Sequence, residues 1–68
     1  MFIELINGRG EKVFTRTQEI RLAKVEKLES SYCCNFIIGD EYCYSEETFN
    51  TAKEAENFIK QTLNPMED

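Results

Sequence analysis

The chain predicts an α+β fold: a small antiparallel β-meander of four or five strands packed by one C-terminal α-helix. Three observations carry this. The first residues alternate like a strand and run into Asn7-Gly8, a turn dipeptide. Two apolar runs flank Gly39-Asp40, as in a second hairpin. Thr51 opens a stretch whose apolar residues recur at helical spacing.

Met1 to Ile6 reads as the first strand, with Met1, Ile3 and Leu5 on one face and Phe2, Glu4 and Ile6 on the other. Asn7-Gly8-Arg9-Gly10 supplies the turn, because glycine adopts positive φ without steric cost. Glu11 to Arg16, centred on Val13, Phe14 and Thr15, is the returning strand.

Thr17 to Ser31 carries conflicting signals. Gln18, Glu19, Arg21, Leu22, Ala23, Lys24, Glu26 and Lys27 favour helix, and Thr15 with Gln18 matches a capping box. The apolar residues Ile20, Leu22, Ala23, Val25 and Leu28 form no single helical stripe, however. Ile20 and Leu22 alternate, while Ala23 and Val25 take the opposite parity. The favoured reading is a turn near Thr17 to Glu19 and a strand from about Leu22 to Leu28, with a helix as the alternative.

Tyr32 to Ser45 forms the clearest hairpin. A Gly-X pair suits a two-residue type II′ turn, which sets Ile38 opposite Glu41, Ile37 opposite Tyr42 and Phe36 opposite Cys43. One face then carries Cys34, Phe36, Ile38 and Cys43, and the other Cys33, Asn35, Ile37, Tyr42 and Tyr44. The closing helix should run from about Ala52 to Leu63, with Thr51 as N-cap and Glu54 completing a capping box. Ala55, Phe58, Ile59, Thr62 and Leu63 share its apolar face. Asn64 suits a left-handed cap, and Pro65 prevents continuation. The expected organisation is one domain over residues 1–64 and a frayed tail over 65–68.

A chain of 68 residues buries only about 60% of its unfolded surface, so it is marginal alone. Its net charge of −5, from 13 acids and 8 bases, makes it a poor ligand for nucleic-acid phosphates. Met1-Phe2-Ile3-Glu4-Leu5-Ile6 lacks a basic leader, and no apolar run has bilayer-spanning length. The expectation is therefore a cytoplasmic protein without membrane association.

Few catalytic constellations are available, because the sequence has no histidine to activate a nucleophile. Cys33 and Cys34 point to opposite sides of a strand. Cys34 and Cys43 share a face only diagonally, at about 7–8 Å between Cα atoms, too far for ordinary disulfide geometry. Three thiols without histidine also fall short of a structural zinc set. The cysteines are expected to be small buried hydrophobes in a reducing compartment. No catalytic, metal or cofactor site is expected, and the chain is read as a non-enzyme.

The aromatic residues carry the functional expectation. One helix covers one face of a small sheet, leaving the other to present several of Phe2, Ile6, Phe14, Ile37, Tyr42 and Tyr44. Such a face is too apolar to remain bare, and exposed apolar patches mark interaction sites. Phe2, Ile37, Tyr42 and Tyr44 are the expected contacts, for a protein partner or a homo-oligomer. The alternative is an acidic inhibitor or nucleic-acid mimic that occupies a basic site of a host protein, with Glu41, Glu46, Glu47 and Glu54 as surrogate phosphates.

The opening Met1-Phe2-Ile3-Glu4-Leu5 with Asn7-Gly8, then Ile20, Val25-Glu26, Ile38-Gly39 and Tyr42, and finally Glu54-Ala55 with Phe58-Ile59, resembles the small flagellar FlbD-like family and similar short phage or mobile-element proteins. The chain departs from that layout in its helix-prone middle, its cysteines and its longer, better-capped C-terminal helix. The resemblance implies a small accessory or regulatory protein and transfers no functional residue.

Overall fold

The computed structural model describes residues 2–64. The strands are β1 (Phe2–Asn7), β2 (Lys12–Arg16), β3 (Ile20–Lys27), β4 (Tyr32–Ile38) and β5 (Glu41–Ser45), and the helix is α1 (Ala52–Leu63). A single 3₁₀ turn, Thr17–Glu19, joins β2 to β3. All strands form one antiparallel sheet in the order β2-β1-β5-β4-β3, and α1 packs against it, which makes the fold α+β. The expected place of Met1 in the first strand, and the tail from Pro65 onward, lie outside the described residues.

The first hairpin is locked by Asn7 and Gly10. The buried Asn7 Oδ1 accepts from the backbone N–H groups of Arg9 and Glu11 at 2.9 and 3.0 Å, so the side chain imitates a turn of backbone. Only Gly10 uses the left-handed region here, at φ +81°. In the second hairpin the expected register is found, with Phe36 opposite Cys43, Ile37 opposite Tyr42 and Ile38 opposite Glu41. Gly39 has φ +61° and no non-glycine residue described has positive φ, as a II′ turn requires and a I′ turn forbids.

The ambiguous middle segment is strand, and its mixed parity has a specific cause. Ile20 pairs with Ile38 while Leu22 pairs with Ile37, so the register slips at Arg21. This bulge adds one residue and turns Ile20 to the same side as Ala23 and Val25, all three packed against the core. Leu22 is thereby sent to the opposite face. The helical alternative fails: the 3₁₀ turn spans three residues and has no side-chain cap, so the Thr15–Gln18 capping box does not form.

The sheet is strongly curled. β2 and β3 are its two edges, four strand spacings apart, which is about 19 Å in a flat sheet. The chain joins them through three residues of 3₁₀ turn, which at about 2 Å rise per residue covers less than half that distance. The edges must therefore bend toward each other, with the core on the inner side. That core is Leu5, Cys34, Phe36, Cys43 and Ala55, surrounded by Ile3, Val13, Ile20, Ala23, Val25, Tyr32, Ile38, Phe49, Phe58 and Ile59.

The helix α1 lies on β3 and β4. Thr51 Oγ1 accepts from the Glu54 N–H at 3.1 Å, the expected N-cap. Glu54 returns its carboxylate to the Asn50 N–H at 3.1 Å, one residue earlier than a capping box places it. Two further expectations need correction. Leu63 is 40% exposed, although Thr62 of the same expected face is buried, and Asn64 caps with φ −133°, outside the left-handed region. The Cys34 thiol donates to the Ala55 carbonyl at 3.2 Å, tying β4 to α1. Thr51→Ala is expected to cost about 1 kcal/mol, read as a lower urea midpoint with unchanged slope.

Candidate interaction face

Strand alternation divides the sheet cleanly. The outer face carries Phe2, Glu4 and Ile6 from β1, Lys12, Phe14 and Arg16 from β2, and Leu22, Lys24 and Glu26 from β3. From β4 it carries Cys33, Asn35 and Ile37, and from β5 Tyr42 and Tyr44. All four sequence-predicted contacts stand on it. Phe2, Tyr42 and Tyr44 are exposed, while Ile37 is half-buried between its cross-strand neighbours Leu22 and Tyr42.

The register gathers these residues into two groups. Tyr42, Ile37 and Leu22 lie side by side, and next to them Ile6 faces Tyr44. Phe2 stands apart, four residues from Ile6 along β1 and about 13 Å away, beside its diagonal neighbour Phe14. Between the groups lies an ion cluster in which Lys12 Nζ reaches Glu4 Oε1 at 3.7 Å and Glu46 Oε2 at 3.5 Å. Cations lean over two of the rings: the Arg16 guanidinium lies 5.9 Å from the Phe2 centroid and Lys24 Nζ 5.9 Å from that of Tyr42.

Phe14, expected on this face though not among the four expected contacts, is 64% exposed, and Leu22, expected in neither group, is 53% exposed. Phe14 has the same parity as Lys12 and Arg16, which was readable in the sequence. Leu22 was not placeable without the bulge at Arg21.

The residues of the acidic alternative do not converge. Glu41 and Glu46 lie at opposite ends of β5, Glu46 is engaged by Lys12, and Glu54 caps the start of α1. The three thiols are free and buried, Cys33 outward and Cys34 and Cys43 inward. Burial raises all three above the ordinary thiol value, Cys34 to about 11. The charges of Glu26 and Glu41 add to the effect at Cys33 and Cys43 respectively. A protonated thiol is a poor nucleophile and a poor metal ligand. Among the described residues no group of three or more histidine, cysteine or carboxylate side chains is placed to hold a metal ion. Among them, too, no helix is long and apolar enough to cross a membrane.

Comparison of the chain with protein-family models, with curated proteins and with solved structures found no match.

Proposed function

We propose that this chain is a small non-enzymatic binding or regulatory module that docks on a protein partner, or on itself, through the outer face of its sheet. One observation carries the proposal: Phe2, Phe14, Leu22, Tyr42 and Tyr44 expose large apolar side chains on one face, outside a core that is already complete without them. Apolar surface of this extent favours association, and tyrosine contributes contact area together with a hydroxyl. Chemistry at the cysteines is disfavoured by their retained protons and by the lack of histidine.

The test is capture of partners by the tagged chain from source-cell lysate at low and high salt, with mass spectrometry of the bound fraction. Tyr44→Ala is expected to weaken association about 30-fold, the effect of a contact worth about 2 kcal/mol, with the helical circular dichroism unchanged. Binding driven by the apolar face persists at high salt. Association that survives Tyr44→Ala, is lost at high salt and is abolished by Glu46→Lys with Glu47→Lys would move the function to the acidic surface.

A further inference from the structure

The outer face contains a cleft of about 290 Å³ at the end of β4 and β5, lined by Glu26, Leu28, Cys33, Asn35, Tyr44, Ser45, Glu46 and Thr48. Cys33 is the deepest outward side chain of the face, only 6% exposed, and among the described residues its sulfur takes part in no hydrogen bond. Its cross-strand neighbour on β3 is Glu26, while Glu46, just after β5, lines the same cleft. Leu28 and the Tyr44 ring supply apolar surface.

Each carboxylate is half used. Glu26 Oε1 accepts from Asn35 Nδ2, and Glu46 Oε2 pairs with Lys12. Among the described residues neither Glu26 Oε2 nor Glu46 Oε1 meets a donor. Among the described residues no cationic side chain lines the cleft. It therefore combines apolar surface, two oxygens of negative charge without donors, and a buried sulfur without a partner.

We infer that this cleft receives a single arginine side chain of the protein partner. Given the docking face proposed above, on which this step rests, the cleft specifies what the partner presents. The volume suits one extended side chain. An alkyl stem would lie along Leu28 and Cys33, and a planar guanidinium would stack on Tyr44 while donating to Glu26 Oε2 and Glu46 Oε1. The net charge of −5 draws a basic partner toward the molecule as a whole.

The probe is n-butylguanidinium, titrated into the isotopically labelled chain and followed by NMR, with neutral n-butylurea as the isostere. Saturable shifts are expected at Glu26, Cys33, Asn35 and Tyr44, with a dissociation constant of about 1–10 mM, as befits a small probe. The urea should bind at least tenfold more weakly, and Glu26→Gln should weaken the guanidinium by about tenfold, since bonds to an ionised acceptor are the stronger ones. Glu26→Gln keeps the amide-linked contact to Asn35 and is expected to preserve the fold, checked by the dispersion of the same spectra. Equal binding of the urea, shifts centred elsewhere, or no saturation would overturn the assignment. Comparing both variants against the captured partner separates the two levels. A partner lost with Tyr44→Ala but held fully by Glu26→Gln removes the arginine and leaves the docking face standing. A partner held fully by Tyr44→Ala removes the docking face, whatever the probe does.

Discussion

Phe36→Ala is expected to remove most of the chain's stability and leave it only marginally folded at room temperature. Phe36 is fully buried at the middle of β4, with Ala23 of β3 and Cys43 of β5 as its cross-strand neighbours. It is the largest of the completely enclosed side chains. Truncating a buried phenylalanine costs about 3–5 kcal/mol, the lost transfer energy together with the cavity left behind. Domain stabilities run from about 5 to 15 kcal/mol, and a chain this short sits near the bottom of that range. The variant should therefore lose most of its folding free energy. Each kcal/mol lowers the melting temperature of so small a domain by about 4–8 °C, so calorimetry or circular dichroism reads the effect directly. A drop below 5 °C would mean that the ring is not central to the core.

The second large effect is alkaline destabilisation through Cys34. Burial, the neighbouring Cys33 and a partial offset from the Ser45 hydroxyl bring its thiol from 9.0 up to about 11. The thiol also donates to the Ala55 carbonyl, a bond that needs the proton. The folded chain thus holds a proton that the unfolded chain releases above pH 9.0. Stability from this group is complete below that pH and is lost as pH rises toward about 11. At about 1.4 kcal/mol per pH unit the loss totals about 2–3 kcal/mol. Other groups titrate in the same window, so the measurement is a difference. Urea unfolding at intervals from pH 8 to pH 11 should give a steeper decline for the wild type than for Cys34→Ala. Parallel curves would mean that Cys34 ionises as easily in the folded chain as in the unfolded one.

The fold was legible wherever one local signal dominated. The Gly39-Asp40 pair specified both the turn and the residue-by-residue register of β4 on β5. Thr51 and the apolar spacing behind it located α1 to the residue. The middle of the chain was harder, because a bulge shifts alternation by one residue and Ile20 then reads out of phase with Ala23 and Val25. Nothing local in Arg21 announces that slip. The curl of the sheet was equally hidden, since it follows from the short 3₁₀ link between two edge strands and hence from strand order.

The candidate face was legible in composition but not in layout. Parity placed Phe2, Ile37, Tyr42 and Tyr44 outward, as the strands do. Their division into a Tyr42-Ile37-Leu22 group beside Ile6 and Tyr44, and a separate Phe2-Phe14 pair, needed the β1–β5 pairing. That contact joins the two hairpins across most of the chain, and turn chemistry does not encode it. The cleft at Cys33 depends on the same pairings and on the segment after Ser45, where Glu46 and Thr48 bound it.

The most direct test of the docking face is hydroxyl-radical footprinting of side chains in the free chain and in its associated state, whether a captured complex or a self-assembled oligomer. Phe2, Phe14, Leu22, Tyr42 and Tyr44 should all be protected on association, while Leu63 on the helix side keeps its reactivity. Protection of Leu63 with the outer rings unchanged would contradict the account and place the interface on the helix.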